Sequence, residues 1–139
     1  MIVVAFEQRN PYKGKPDRPW IRLRLEALDG TLLELELLAD TGNPCALILA
    51  SPSMARLKAG DAPDIQSNFG LLQGGWLQLA MPELGLTQPV VGYASDAVAA
   101  AAKASHVDFA GLVGLPLLRL LEYGGDANWF WVRPKGGTP

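Results

Sequence analysis

From Trp20 to Leu38 the chain alternates between apolar and polar side chains at almost every step, and this run constrains the fold more than any other feature. Trp20-Ile-Arg-Leu-Arg-Leu-Glu-Ala-Leu28 sets Ile21, Leu23, Leu25 and Ala27 on one face and Arg22, Arg24 and Glu26 on the other. A period of two is the signature of a half-buried strand. Thr31 to Leu38 alternates again, with Glu34 and Glu36 outward, and Asp29-Gly30 between the two runs predicts a tight type I′ turn. The pair is an antiparallel hairpin. Fifteen glycines and eleven prolines spread along 139 residues add many further turns between short elements, so the expected fold class is all-β with short helices.

The length suits a single domain. It divides into an N-terminal strand and loop (1–19), a core (20–132) and a tail (133–139). Apolar residues at 49% against 19% charged supply a sizeable core. Twelve Lys and Arg against fourteen Asp and Glu give a net charge of −2, without the basic surplus that phosphate-backbone binding needs, so no nucleic-acid partner is expected. The one local basic excess is in residues 1–30, where Lys13, Lys15 and Arg18 read as part of a solvated loop. One cysteine, Cys45, and one histidine, His106, cannot form a disulfide or a structural zinc site, so no metal and no cofactor are expected. A free thiol and an apolar N-terminus too short for a signal peptide or a membrane span point to the cytoplasm and away from membranes.

Along the rest of the chain, residues 2–7 read as a strand and 10–19 as a loop. Leu47-Ile-Leu49 is a short apolar run, Ser51-Pro52 a helix start and 59–68 a polar loop. Trp76 to Met81 and Pro89 to Tyr93 read as strands, and 96–105 as an alanine-rich helix with Asp96 as its N-cap. Phe109 to Glu122 carries an apolar strand into a helix through Gly114, with Pro116 in the first helical turn and Gly124-Gly125 closing it. Trp129 to Val132 is a last aromatic strand, expected to pair with Ile2 to Ala5 across a dimer.

One constellation carries chemistry. An apolar strand ends in Leu37-Leu-Ala-Asp40-Thr41-Gly42. Glycines at Gly70, Gly74 and Gly75 bracket Leu71, Leu72 and Gln73, and Gly111-Leu-Val-Gly114 then leads into a leucine-rich helix. This ordered set resembles the retropepsin-like aspartic proteases, in which Asp-Thr/Ser-Gly closes a strand, a glycine-rich flap follows, and an apolar-apolar-Gly strand packs behind the catalytic loop. The resemblance covers roughly residues 20 to 132. It implies a retropepsin-like acid protease barrel, one lobe per chain, closed as a homodimer. It also implies an aspartic peptidase in which Asp40 is the catalytic acid/base, Thr41 grips the partner loop and Gly42 offers its backbone to a peptide or protein substrate. The flap, and hence substrate binding, would be Gly70, Leu71, Leu72, Gln73, Gly74 and Gly75. Asn43-Pro44 stands where the family commonly carries a small residue.

Hydrolysis by carboxylates alone needs two of them sharing a proton, one as base on a water and one as acid on the carbonyl. The chain holds a single Asp-Thr-Gly, so the site would need a second copy on a two-fold axis. Two other readings exist. A non-catalytic dimer could keep the fold and bind peptides or partner proteins, and Cys45 with His106 could form a thiol nucleophile and base.

Overall fold

The computed structural model describes residues 6–68, 70–104 and 109–136, so the expected strand over Ile2 to Ala5 and the loop position of His106 lie outside the described residues. Strand far outweighs helix, and six strands close into a barrel, which makes the protein all-β with short helices. The first strands are β1 (Gln8–Pro11), β2 (Trp20–Glu26), β3 (Leu32–Asp40) and β4 (Leu47–Leu49). Helix α1 (Ser51–Leu57) leads to β5 (Gly60–Ser67), β6 (Gly70–Leu79) and, after a 3-10 turn at Pro82–Leu84, β7 (Pro89–Ala94). Helix α2 (Asp96–Lys103), β8 (Gly111–Gly114), α3 (Leu115–Leu118), β9 (Leu121–Gly125) and β10 (Trp129–Pro134) complete the chain.

The barrel runs β2-β3-β8-β4-β7-β6 and closes where Leu25 and Glu26 of β2 meet Leu79 and Gln78 of β6. Strand β5 pairs with β6 beyond that closure, so the β5–β6 hairpin projects from the ring. A second sheet, β1-β10-β9, supplies Leu121, Phe130 and Val132 to the main core. The final strand therefore pairs with β1 inside the same chain, where the sequence suggested pairing across a dimer.

Alternation in β2 and β3 decides which side chains enter which core. Ile21, Leu23, Leu25 and Leu37 are fully buried in the main cluster, with Leu47, Leu49, Leu77, Leu79 and Val113. Residues of the opposite parity, Trp20, Leu38, Ile48 and Leu112, build a second cluster with Leu72, Val98 and Phe109 on the other face of the same strands. Strands β4 and β8 are buried on both faces, which explains why they read as unbroken apolar runs.

Several local expectations are corrected. The β2–β3 turn is a longer one, closed by Ala27 N to Thr31 O at 2.7 Å and Gly30 N to Ala27 O at 2.9 Å, with Gly30 alone left-handed at φ 84°. The N-cap of α2 is Ser95, whose hydroxyl accepts from Val98 N, while Asp96 instead accepts from the backbone N–H and hydroxyl of Ser51 at the start of α1. The helix after Gly114 lasts only one turn, because Leu121–Gly125 is drawn into pairing with β10. Residues 60–67 form a strand despite their polarity, since they pair on one edge only and carry an irregularity between Ala62 and Ile65.

Arg24 on β2 holds the 3-10 turn by a fork, donating to Glu83 Oε1 at 3.1 Å and Oε2 at 2.9 Å and to the Ala80 carbonyl at 3.2 Å. These hydrogen bonds hold the Glu83 carboxyl below its ordinary value of 4.5. A depressed carboxyl contributes stability above its unfolded pKa and loses it as pH falls through the folded one. Glu83→Gln is thus expected to melt below the native protein at neutral pH, with the gap closing on acidification through the carboxylate range. Thermal denaturation across pH measures this.

Candidate active site

Strand β3 delivers Asp40 half-buried at its end, and its parallel partner β8 sets Asp40 beside Gly114. On its other edge β8 runs antiparallel to β4, so β8 lies between two strands joined by the Asp40 loop. That loop must cross the end of β8, and glycine permits the crossing. A Cβ on Gly114 would stand 1.9 Å from the Cys45 carbonyl oxygen, and one on Gly111 would stand 2.0 Å from that of Ile48. No side chain fits at either position.

The loop is fastened by short-range bonds. Gly42 N donates to Asp40 Oδ1 at 3.0 Å and Asn43 N to the Asp40 carbonyl at 3.1 Å. Asn43 is buried; its Oδ1 accepts from Cys45 N at 2.8 Å and its carbonyl accepts from Leu115 N at 3.0 Å, where α3 begins. The Ala46 carbonyl takes Gly114 N at 3.0 Å. The unusual Asn43-Pro44 pair is thereby accounted for. Asn43 ties the loop to the start of α3, and Pro44 is exposed, so its missing N–H leaves nothing buried unpaired.

Beside Asp40 opens a cavity of about 350 Å³. Asp40, Gly42, Asn43, Pro44 and Cys45 form one wall, Ile48 and Leu112 belong to its apolar lining, and the β5–β6 hairpin forms the other wall through Ile65, Gln66, Ser67, Asn68 and Leu72. Among the described residues Asp40 is the only carboxylate in this lining. Thr41 is exposed and does not line the cavity.

The glycine-rich segment therefore contributes less directly than its sequence suggested. Strand β5 ends at Ser67 and β6 begins at Gly70, which is left-handed at φ 93° and whose carbonyl accepts from Ser67 Oγ. Phe69 lies outside the described residues. Only Leu72 of the six flap residues reaches the cavity; Leu71 is 64% exposed, and Gln73 and Gly74 line a separate cleft with Lys58, Asp61 and Asp64. Gly74 and Gly75 sit within β6 as close-packing positions, against the Pro63 carbonyl and the Lys58 side chain respectively. Sequence reasoning missed Ile65 to Asn68 because the irregularity after Ala62 breaks the alternation of an already polar strand. The readable signal was Gly70 as a turn residue between Ile65 and Leu72, which pair with each other.

Cys45 also lines the cavity, but burial pushes its thiol above the ordinary value, the opposite of what a thiolate nucleophile requires. Among the described residues no group of three or more His, Cys, Asp or Glu could hold a metal ion, and no helix is long and apolar enough to cross a membrane. Comparison of the chain with protein-family models, with curated proteins and with solved structures finds no match.

Overpacking at the loop crossing is testable. Gly114→Ala is expected to lower stability by about 3 kcal/mol or more, and Gly42→Ala, whose Cβ would meet only Asp40 Oδ1 at 3.3 Å, by much less. Chemical denaturation of the two variants separates the predictions.

Proposed function

We propose that this chain is one half of a homodimeric aspartic peptidase of the retropepsin-like type. The observation that carries the reading is the position of Asp40: at the end of a buried strand, on a loop wrapped over Gly114, beside an apolar cavity overhung by the β5–β6 hairpin. This is the arrangement that the sequence resemblance implies. Because the cavity lining offers one carboxylate, the second is supplied by Asp40 of an identical chain across a two-fold axis.

The pair would share one proton, since two adjacent carboxylates cannot both ionise readily. The ionised member takes a proton from a water, whose oxygen adds to the peptide carbonyl carbon, while the protonated member gives its proton to the carbonyl oxygen. Collapse of the resulting tetrahedral diol breaks the C–N bond and re-forms the carbonyl, as the carboxylate that gave up its proton takes one back from a diol hydroxyl. The carboxyl that received the water's proton returns it to the leaving nitrogen.

Gly42 N, bound to Asp40 Oδ1, orients the carboxyl, and the exposed position of Thr41 suits a hydroxyl that meets the partner loop. The substrate would lie extended beneath the hairpin, with an apolar side chain in the cavity against Ile48, Leu72 and Leu112. A single buried thiol suits a reducing compartment, the cytoplasm.

Digestion of a peptide library in mildly acidic buffer tests the reaction. Asp40→Asn preserves the shape of the side chain and its acceptor, and it is expected to lower cleavage at least about a hundredfold without lowering the melting temperature. Activity per chain is expected to fall on dilution as the dimer dissociates. Equal cleavage by Asp40→Asn, or a strictly monomeric active species, overturns the proposal, and peptides retained but uncut by the native protein identify a binding module instead.

A further inference from the structure

The basic residues of the N-terminal third have different environments. Lys13, expected in a solvated loop, is 2.7 Å from Glu36 and lies 3.8 Å over the Trp20 ring. Arg9, Arg22 and Arg24 each meet a carboxylate within 2.9 Å. Arg18 is different. Its backbone is fixed by reciprocal bonds to Lys13, at 2.7 and 3.1 Å, yet among the described residues its guanidinium has no ion pair and its Nε is buried without a hydrogen-bond partner. A guanidinium N–H withdrawn from water and left unpaired is unfavourable until an acceptor arrives.

The register of the sheet places the Arg18 backbone relative to the site. Across β2 and β3, Arg24 faces Glu34, Arg22 faces Glu36 and Trp20 faces Leu38, and the Pro19 carbonyl accepts from Ala39 N at 3.0 Å. The paired register ends at Trp20 and Leu38, and one further step beyond the Pro19–Ala39 bond would bring the Arg18 backbone level with Asp40. Residues two apart share a face, so Arg18 continues the side of the sheet that carries Trp20 and Leu38. Both belong to the apolar cluster that includes the cavity residues Ile48, Leu72 and Leu112.

We infer that Arg18 is a specificity-determining residue that receives an acidic side chain of the peptide bound at Asp40. The inference rests on the peptidase reading above. A carboxylate matches the planar fork of a guanidinium, and the Arg18 charge offsets repulsion between an acidic substrate and the Asp40 pair. A second copy meeting this chain at its loop does not supply the acid, because Thr41 to Ala46 contains no carboxylate and Asp40 is committed to its own pair.

The test uses synthetic peptides with an apolar centre, carrying Glu, Gln or Lys in turn at each position around the cleavage point. Expected for the native protein is one position where kcat/KM for Glu exceeds that for Gln by about tenfold, a difference of about 1.4 kcal/mol. Arg18→Met should bring that ratio to about one, Arg18→Lys should keep part of it, and Arg18→Glu should transfer the preference to Lys. Cleavage without a Glu preference at any position, or a preference that survives in Arg18→Met, overturns the inference and leaves the peptidase reading intact. If the native protein cuts nothing, the peptidase reading fails. Fluorescence anisotropy of the same peptides on the native protein and Arg18→Met then decides the Arg18 site separately: tighter binding of Glu than Gln, lost in Arg18→Met, supports it, and equal binding overturns it.

Discussion

Everything near Asp40 depends on one close crossing, the passage of β8 between β3 and β4. Two backbone segments approach there to within the space that a methyl group would fill, at Gly111 against Ile48 and at Gly114 against Cys45. Because β8 pairs parallel with β3 and antiparallel with β4, it holds the two ends of the Asp40 loop at fixed spacing. The loop then closes through its own amides, with Asn43 bonded both to Cys45 and to the start of α3. A carboxylate mounted this way is positioned by strands, and sites carried on rigid elements hold their geometry more closely than sites on free loops.

The barrel's two apolar clusters give the site its setting. One parity of β2, β3, β4 and β8 feeds the main core, and the other feeds a second cluster from Trp20 to Phe109. The cavity beside Asp40 opens onto this second cluster, so its lining is apolar for the same reason that the strands are stable. The β5–β6 hairpin reaches over it because β5 continues past the point where β2 closes the ring. Polarity in β5 and its irregularity after Ala62 keep this edge from pairing further.

Much of this was legible in advance. The faces of β2 and β3, the proline at the start of α1, and the strand-to-helix junction at Gly114 follow from period-two alternation and from turn residues, which act over a few neighbours. Asp40 stood out because a carboxylate at the end of an apolar strand has no reason to be there for packing alone. What was not legible depended on distant partners. Leu121–Gly125 continues as strand only because β10 lies beside it, and Asp96 caps a helix 45 positions earlier in the chain. Gly74 and Gly75 looked like flap residues and are close-packing positions, a distinction set by Pro63 and Lys58.

By itself, then, the sequence determined the strand-rich class and the inward and outward faces of the central hairpin, and it singled out Asp40 as a candidate site residue. These are consequences of local periodicity and of the conformational range of individual residues. Only the tertiary structure decided that Ile65 to Asn68 wall the cavity, that Asn43 fastens the Asp40 loop, and that the Arg18 Nε is buried with no hydrogen-bond partner among the described residues. Each of those results depends on register and closure, which are set by pairing between segments far apart in the chain.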